Sequence, residues 1–283
     1  MAREKVRGKR SGRLGRLGGP LADSSVLGEH SFVAVNSQPG ALNLFTLYYA
    51  PHTCALASHI ALEDAGAKYE LKRIDFGKAE QQSPAYLEVN PKGRVPAMTT
   101  TRGILTETPA MLAYIAQSFP QARLAPLDDP FAFAQLQAFN SYLCSGLHVA
   151  HAHRMRGHRW ADEPASIADM QRKVPKSVGA CYEMIETHML RGPWVMGDAY
   201  TIADPYLFTL AQWLEDDGLD PARTPRVIEH RSRMAERPNV RKAIAQRTCD
   251  LVSCQDSFPV LVFGRFRGGA DVLTDFERGL HEY

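Results

Sequence analysis

The sequence has no apolar run approaching the roughly 20 residues that a membrane-spanning helix needs, so no such helix is expected. Its first residues lack the apolar core of a secretory signal. Cysteine is sparse. Cys54, Cys144, Cys181, Cys249 and Cys254 are odd in number and show no repeated pair spacing. A disulfide framework is therefore not expected, and a reducing, cytoplasmic location fits. No internal repeat is visible. An excess of one charge is also lacking, since 33 Lys and Arg face 31 Asp and Glu. That balance argues against nucleic acid as a partner. It hides one asymmetry: residues 1–16 carry a net +6, which leaves −4 for the rest of a chain whose total is +2.

What is present is an ordinary globular composition, 45% apolar over 283 residues, enough for two domains. Residues 1–42 mix Arg, Gly and Ser without a sustained stripe and read as a disordered basic arm. Leu44 to Tyr49 is a short apolar and aromatic run, expected as a strand buried on both faces. Thr53 is a candidate cap for a helix carrying Leu56, Ala57, Ile60 and Ala61, which ends at Gly66. Tyr69 to Asp75 reads as a second strand and Ser83 to Val89 as a short helix. Val95 to Thr100 and Ile104-Leu105 bracket a Thr101-Arg102-Gly103 turn as a hairpin. Thr108 then Pro109 start a helix with Met111, Leu112, Ile115 and Phe119 on its apolar stripe.

The order β-α-β-α-β-β-α suits one small domain over 43–120, followed by a Pro-rich linker at 121–130. Beyond it the period changes. Leu136, Phe139, Leu143 and Leu147 share a helical face; so do Val174, Val178, Cys181, Ile185 and Met189. Tyr206, Leu207, Leu210, Trp213 and Leu214 make a third such face. Residues 131–246 therefore read as an all-helical domain. Residues 247–283 are a tail with one isolated strand-like run, Phe258 to Phe263.

Three stretches carry chemistry. In Tyr49-Ala-Pro-His-Thr-Cys54 a strand ends, the chain turns and a cysteine begins a helix. The free N–H groups and dipole of a helix start stabilise a thiolate, whether of this cysteine or of a bound molecule. A buried structural cysteine is the plainer alternative. In Asn90-Pro-Lys-Gly-Arg-Val-Pro96 a cis Val-Pro step leaves the Val95 backbone free to pair with a peptide-like ligand. In Thr106-Glu107-Thr108-Pro109 a helix cap can receive a carboxylate while Glu107 takes an ammonium, which suits an amino-acid head group.

A thiolate site, a backbone edge and a zwitterion clamp together describe glutathione. The chain resembles glutathione transferases, most of all the bacterial beta-type branch, over about residues 43–246. The matching stretches are 47–62, 89–96, 105–112, Thr201-Ile-Ala-Asp204 and 206–213. The resemblance implies a thioredoxin-like N-terminal domain, a helical-bundle C-terminal domain and a homodimer. It implies catalytic roles for Cys54 and His148 beside the glutathione sulfur, with the cis proline at Pro96. Lys78, Val95, Glu107 and Thr108 would bind glutathione, and Tyr49, His151 and Trp213 would line a cleft for a second substrate. Glutathione is then a co-substrate; no cofactor or metal is implied. Two positions depart from the branch: Ala55 stands where Ser is common after the cysteine, and Val149 where Lys often follows the histidine.

The Thr201-x-x-Asp204 element has a simpler reading as a capping box that serves folding. His148, His151 and His153 do not share one helical face, so they read with Arg154 and Arg156 as cleft lining instead of a metal site. No second cysteine stands in C-x-x-C spacing with Cys54, which disfavours dithiol chemistry. The expected activity is conjugation of the glutathione thiolate to small electrophiles. The alternatives are a monothiol transferase or reductase using Cys54, and a non-catalytic glutathione-binding scaffold.

Overall fold

The computed structural model describes residues 44–252. The basic arm and the strand-like run Phe258 to Phe263 lie outside them. A four-stranded sheet is built from β1 (Phe45–Tyr49), β2 (Tyr69–Arg73), β3 (Ala97–Thr100) and β4 (Gly103–Thr106), in the order β2-β1-β3-β4. β1 runs parallel to β2, with Leu47 opposite Leu71, and antiparallel to β3, with Leu47 opposite Met98. A central strand has both faces covered, and Phe45, Leu47, Tyr48 and Tyr49 are all buried. Leu44, expected in this strand, precedes it and is exposed. Gly103 opens β4 at φ +134°, so the hairpin turn is shorter than expected.

The crossover from β1 to β2 is α1 (Ala55–Asp64). It is buried on nearly every side, because it packs on the sheet and also against later helices. Its small residues Ala55, Ala57 and Ala61 allow those close approaches. α2 (Pro84–Val89) is capped by the Ser83 hydroxyl, which accepts the Tyr86 N–H at 3.2 Å. α3 (Thr108–Ser118) closes this α/β layer with Met111, Leu112 and Ile115 inward.

The rest is helical: α4 (Pro130–Tyr142), α5 (His148–Arg156), α6 (Pro164–Met184), α7 (Ala203–Ala211), α8 (Pro225–Glu236) and α9 (Pro238–Val252). A π-helical turn at Leu143–Leu147 joins α4 to α5. The first two expected helical stripes are inward, with Leu136, Phe139, Leu143 and Leu147 buried, and Val174, Val178 and Ile185 likewise. The third stripe understates its helix: every residue of α7 is buried. Trp213 and Leu214 lie just past its end. α9 continues beyond the expected boundary at 246, which places Arg247 within a helix. None of the described helices is long and apolar enough to cross a membrane.

The capping box forms. Asp204 accepts the Thr201 N–H at 2.7 Å. The carboxylate, with no exposed surface, also accepts the Val195 N–H at 2.8 Å and lies 3.0 Å from His230 Nε2. It therefore ties three segments of the helical domain together.

Candidate active site

The site lies where β1 ends and α1 begins, at the carboxyl end of a central strand, where open α/β sheets commonly bind ligands. Pro51 stops the strand and His52 takes φ +55°. The Thr53 hydroxyl does not cap α1 as expected. It donates to the Ala50 carbonyl at 2.7 Å, and Cys54 occupies the cap position without a side-chain cap bond. The Cys54 thiol is buried and donates to the Val95 carbonyl across 3.9 Å.

Val95 stands there because its loop is pinned. The Arg94 carbonyl accepts the Tyr86 hydroxyl at 2.7 Å and the Asn90 side-chain amide at 2.6 Å. Gly93 turns at φ +60°, where an added Cβ would meet Gln82 at 2.6 Å. The Val95-Pro96 bond is cis, as expected. Val95 precedes β3 and takes no part in its register.

The start of α3 differs from expectation. Glu107, at φ +71°, holds the cap position, and Thr108 is the first helical residue. No side chain caps α3, so its first N–H groups are left to a ligand or to water. The Thr108 hydroxyl, buried, is turned to the Cys54 sulfur instead. Glu107 is bonded to Lys92, whose ammonium also donates to the Thr106 hydroxyl at 2.7 Å. Lys92 lies in the Asn90–Pro96 stretch, where the sequence alone assigns it no role. A positive φ at a non-glycine residue carries strain and often marks a binding site.

Of the alternatives open for Cys54, electrostatics favour the buried, protonated thiol. Burial pushes the thiol up to about 11, against the Thr108 hydroxyl and the Arg247 guanidinium, which favour the anion. Desolvation outweighs the helix start. Burial pushes the Cys144 thiol up as well, against the neighbouring Tyr206 hydroxyl. The His148 ring is pushed down to about 4 by burial, then by His151, Arg156, Arg159 and Arg94.

On the helical side, His148 and His151 face Trp213, with ring centroids 5.4 Å and 4.3 Å away. The His151 ring is stacked on the indole and oriented by the buried Asp217, 2.8 Å from Nδ1. Sequence reasoning missed Asp217, which lies beyond the periodic part of α7. One expected site residue stands elsewhere. Tyr49 has no exposed surface and packs under the Arg247 guanidinium at 4.5 Å, so it does not line a cleft. The Lys78 side chain is 84% exposed and lies 3.7 Å from Asp75. Arg154, expected with the histidines as cleft lining, reaches Asp217 at 3.6 Å.

Residues 44–117 match the N-terminal domain of glutathione S-transferase, and residues 153–247 match its C-terminal domain. The chain belongs to the glutathione S-transferase family. The transferase is 31% identical to glutathione S-transferase GstA of Escherichia coli O157:H7, over 70% of this chain and 96% of that one. Among solved structures it is similar to a glutathione transferase homologue from Sulfitobacter with bound glutathione. That pair shares 45% identity at a TM-score of 0.70, covering 72% of this chain and 98% of the other. A Sphingomonas chungbukensis beta-class enzyme is 30% identical at a TM-score of 0.63, over 71% and 98% of the two chains. Matches to this family extend over several of its classes, and the α/β layer followed by a helical bundle is its architecture.

Proposed function

We propose that this transferase holds glutathione extended beside Val95 and delivers its thiolate to a small electrophile. The observation that carries the reading is the Cys54–Val95 contact of 3.9 Å, which joins the helix start to the free backbone edge. A cysteinyl backbone pairing with Val95 brings its sulfur to that helix start. The γ-glutamyl group then falls at α3, with its ammonium on Glu107 and its carboxylate on the uncapped N–H groups and Lys92.

The nucleophile is the glutathione thiol. Cys54 is protonated at neutral pH and shapes the pocket. His148 is too weak a base to store the thiol proton, so its neutral ring serves as a hydrogen-bonding partner near the sulfur. Rate enhancement comes from holding the thiolate in a fixed, partly desolvated position. Trp213 and His151 form the wall against which the electrophile packs. Thiol exchange through Cys54 has the right proximity but lacks a thiolate at neutral pH.

Within the family the beta-type branch fits best, supported by the cysteine at the start of α1 and the Sphingomonas likeness. A cytoplasmic setting suits three described cysteines that are all free thiols. A homodimer is the expected assembly; Phe131, 73% exposed at the start of α4, is the kind of group a second copy covers.

The test is calorimetric titration with glutathione alongside conjugation of a neutral aryl halide. Glu107→Ala and Thr108→Val each weaken glutathione binding by roughly tenfold, the effect of one lost bond to a charged group. Absence of both binding and conjugation in the wild type defeats the reading.

A further inference from the structure

Two histidines pair with an aspartate among the described residues, and the two pairs differ in what the ring is left to do. His230 and Asp204 have no exposed surface, so that pair serves the fold alone. His151 is different. Its Nδ1 lies 2.8 Å from both oxygens of the buried Asp217 carboxylate, yet its side chain is 19% exposed. Arg154 also reaches Asp217, at 3.6 Å, and donates to the Asp216 carbonyl at 2.6 Å, so the carboxylate is fixed. Trp213 fixes the ring plane, stacked 4.3 Å away with 20° between the planes.

An ionised carboxylate only accepts, so the neutral His151 ring carries its proton on Nδ1 and its lone pair on Nε2. Nε2 has no hydrogen-bond partner among the described residues. A ring held this way takes and gives a proton at Nε2 without turning, because the Nδ1–Asp217 bond is made in both forms. His148 is its neighbour, with ring centroids 6.3 Å apart, and has no carboxylate partner among the described residues. Burial pushes that ring down to about 4, so it holds no proton at neutral pH. Of the two histidines facing Trp213, only His151 is equipped for proton transfer.

We propose that His151 is the proton donor for the second substrate, with Asp217 as its positioning residue, and that the site favours electrophiles whose addition product is an enolate, the α,β-unsaturated carbonyl class. This rests on the transferase reading above, in which His151 and Trp213 wall the electrophile. The glutathione sulfur bonds to the β-carbon, and the electron pair of the double bond moves toward the carbonyl oxygen. The Nε2–H bond of the protonated ring breaks, and its proton goes to the enolate. The neutral ring then takes a proton from solvent, which balances the one released when the glutathione thiol ionised. The sum is addition of S–H across the double bond, with nothing oxidised or reduced. Displacement at an aryl halide expels the halide as an anion and needs no such proton.

The test compares kcat/KM of the full chain for benzylideneacetone and for chlorodinitrobenzene at saturating glutathione. The variants are His151→Phe, which keeps an aromatic ring on Trp213, and Asp217→Asn, which keeps the side-chain shape. Each loses at least about tenfold more activity on the enone than on the halide, the low end of a general acid's contribution. Asp217→Glu recovers part of the enone rate. Equal losses on the two electrophiles overturn the proposal and leave the pair a structural tie between α5 and the segment after α7. A wild type that conjugates the halide but not the enone overturns it too, while the transferase reading stands. Failure on both electrophiles, with no glutathione bound in calorimetry, removes that reading as well.

Discussion

The sulfur of Cys54 lies 3.9 Å from the carbonyl oxygen of Val95, so two segments distant in sequence share one wall of the site. The contact uses the thiol proton. It therefore belongs to the neutral form of Cys54, in keeping with a thiol pushed up to about 11.

Alkylation of Cys54 by iodoacetamide should consequently be slow at neutral pH. The raised thiol leaves about one part in ten thousand as thiolate at pH 7, and that fraction grows tenfold per pH unit up to about 11. Intact-mass labelling rates between pH 7 and 10, with Cys54→Ala identifying the site, measure this. A fast, pH-independent modification of Cys54 contradicts it. Conjugation by Cys54→Ala should stay within a few-fold of wild type. Disulfide exchange with oxidised glutathione should be slow in both.

Lys92 is expected to matter for binding and little for folding. Its ion pair with Glu107 is exposed, and such pairs contribute about 0–1 kcal/mol. Lys92→Ala should change unfolding free energy by less than about 1 kcal/mol yet raise the glutathione Kd roughly three- to tenfold. Denaturant titration and calorimetry on the same preparation separate the two.

Asp204 is the reverse case. Its carboxylate has no exposed surface and satisfies the Thr201 and Val195 N–H groups and His230. Asp204→Ala leaves those groups buried and unpaired, with an expected loss of about 3–5 kcal/mol. The protein should unfold at lower denaturant, while glutathione affinity of the folded fraction stays near wild type.

Phe131→Asp should shift the chain toward monomer in sedimentation experiments. The ring is 73% exposed, so its replacement costs little in the core, whereas a charge in an apolar interface is expensive. An unchanged sedimentation coefficient at several concentrations speaks against this face as the interface.

Much of the fold was legible in the chain. Strand β1 announced itself by a short apolar and aromatic run, and α3 by Thr108-Pro109 followed by Met111, Leu112 and Ile115. Those signals are local, because periodicity and turn chemistry act over a few residues. The helix caps were harder. Thr53 and Thr108 have the right residue type for capping, but both hydroxyls found other partners, the Ala50 carbonyl and the Cys54 sulfur. Which acceptor or donor a short side chain meets depends on what packs beside it.

The site divides in the same way. Cys54, Val95, Pro96, Glu107 and Thr108 were identified from motif stretches, and the structure gathers them around the start of α1 and α3. Lys92 and Asp217 carry no sequence signal, since a charged side chain reads as solvated until its neighbours are known. By itself the sequence determined a cysteine at the start of a helix after a buried strand, beside a cis-proline loop and an acidic cap. Only the tertiary structure decided that this cysteine is protonated. Local sequence sets the helix-start field that favours the thiolate, but long-range packing sets the desolvation that opposes it, and here desolvation is larger.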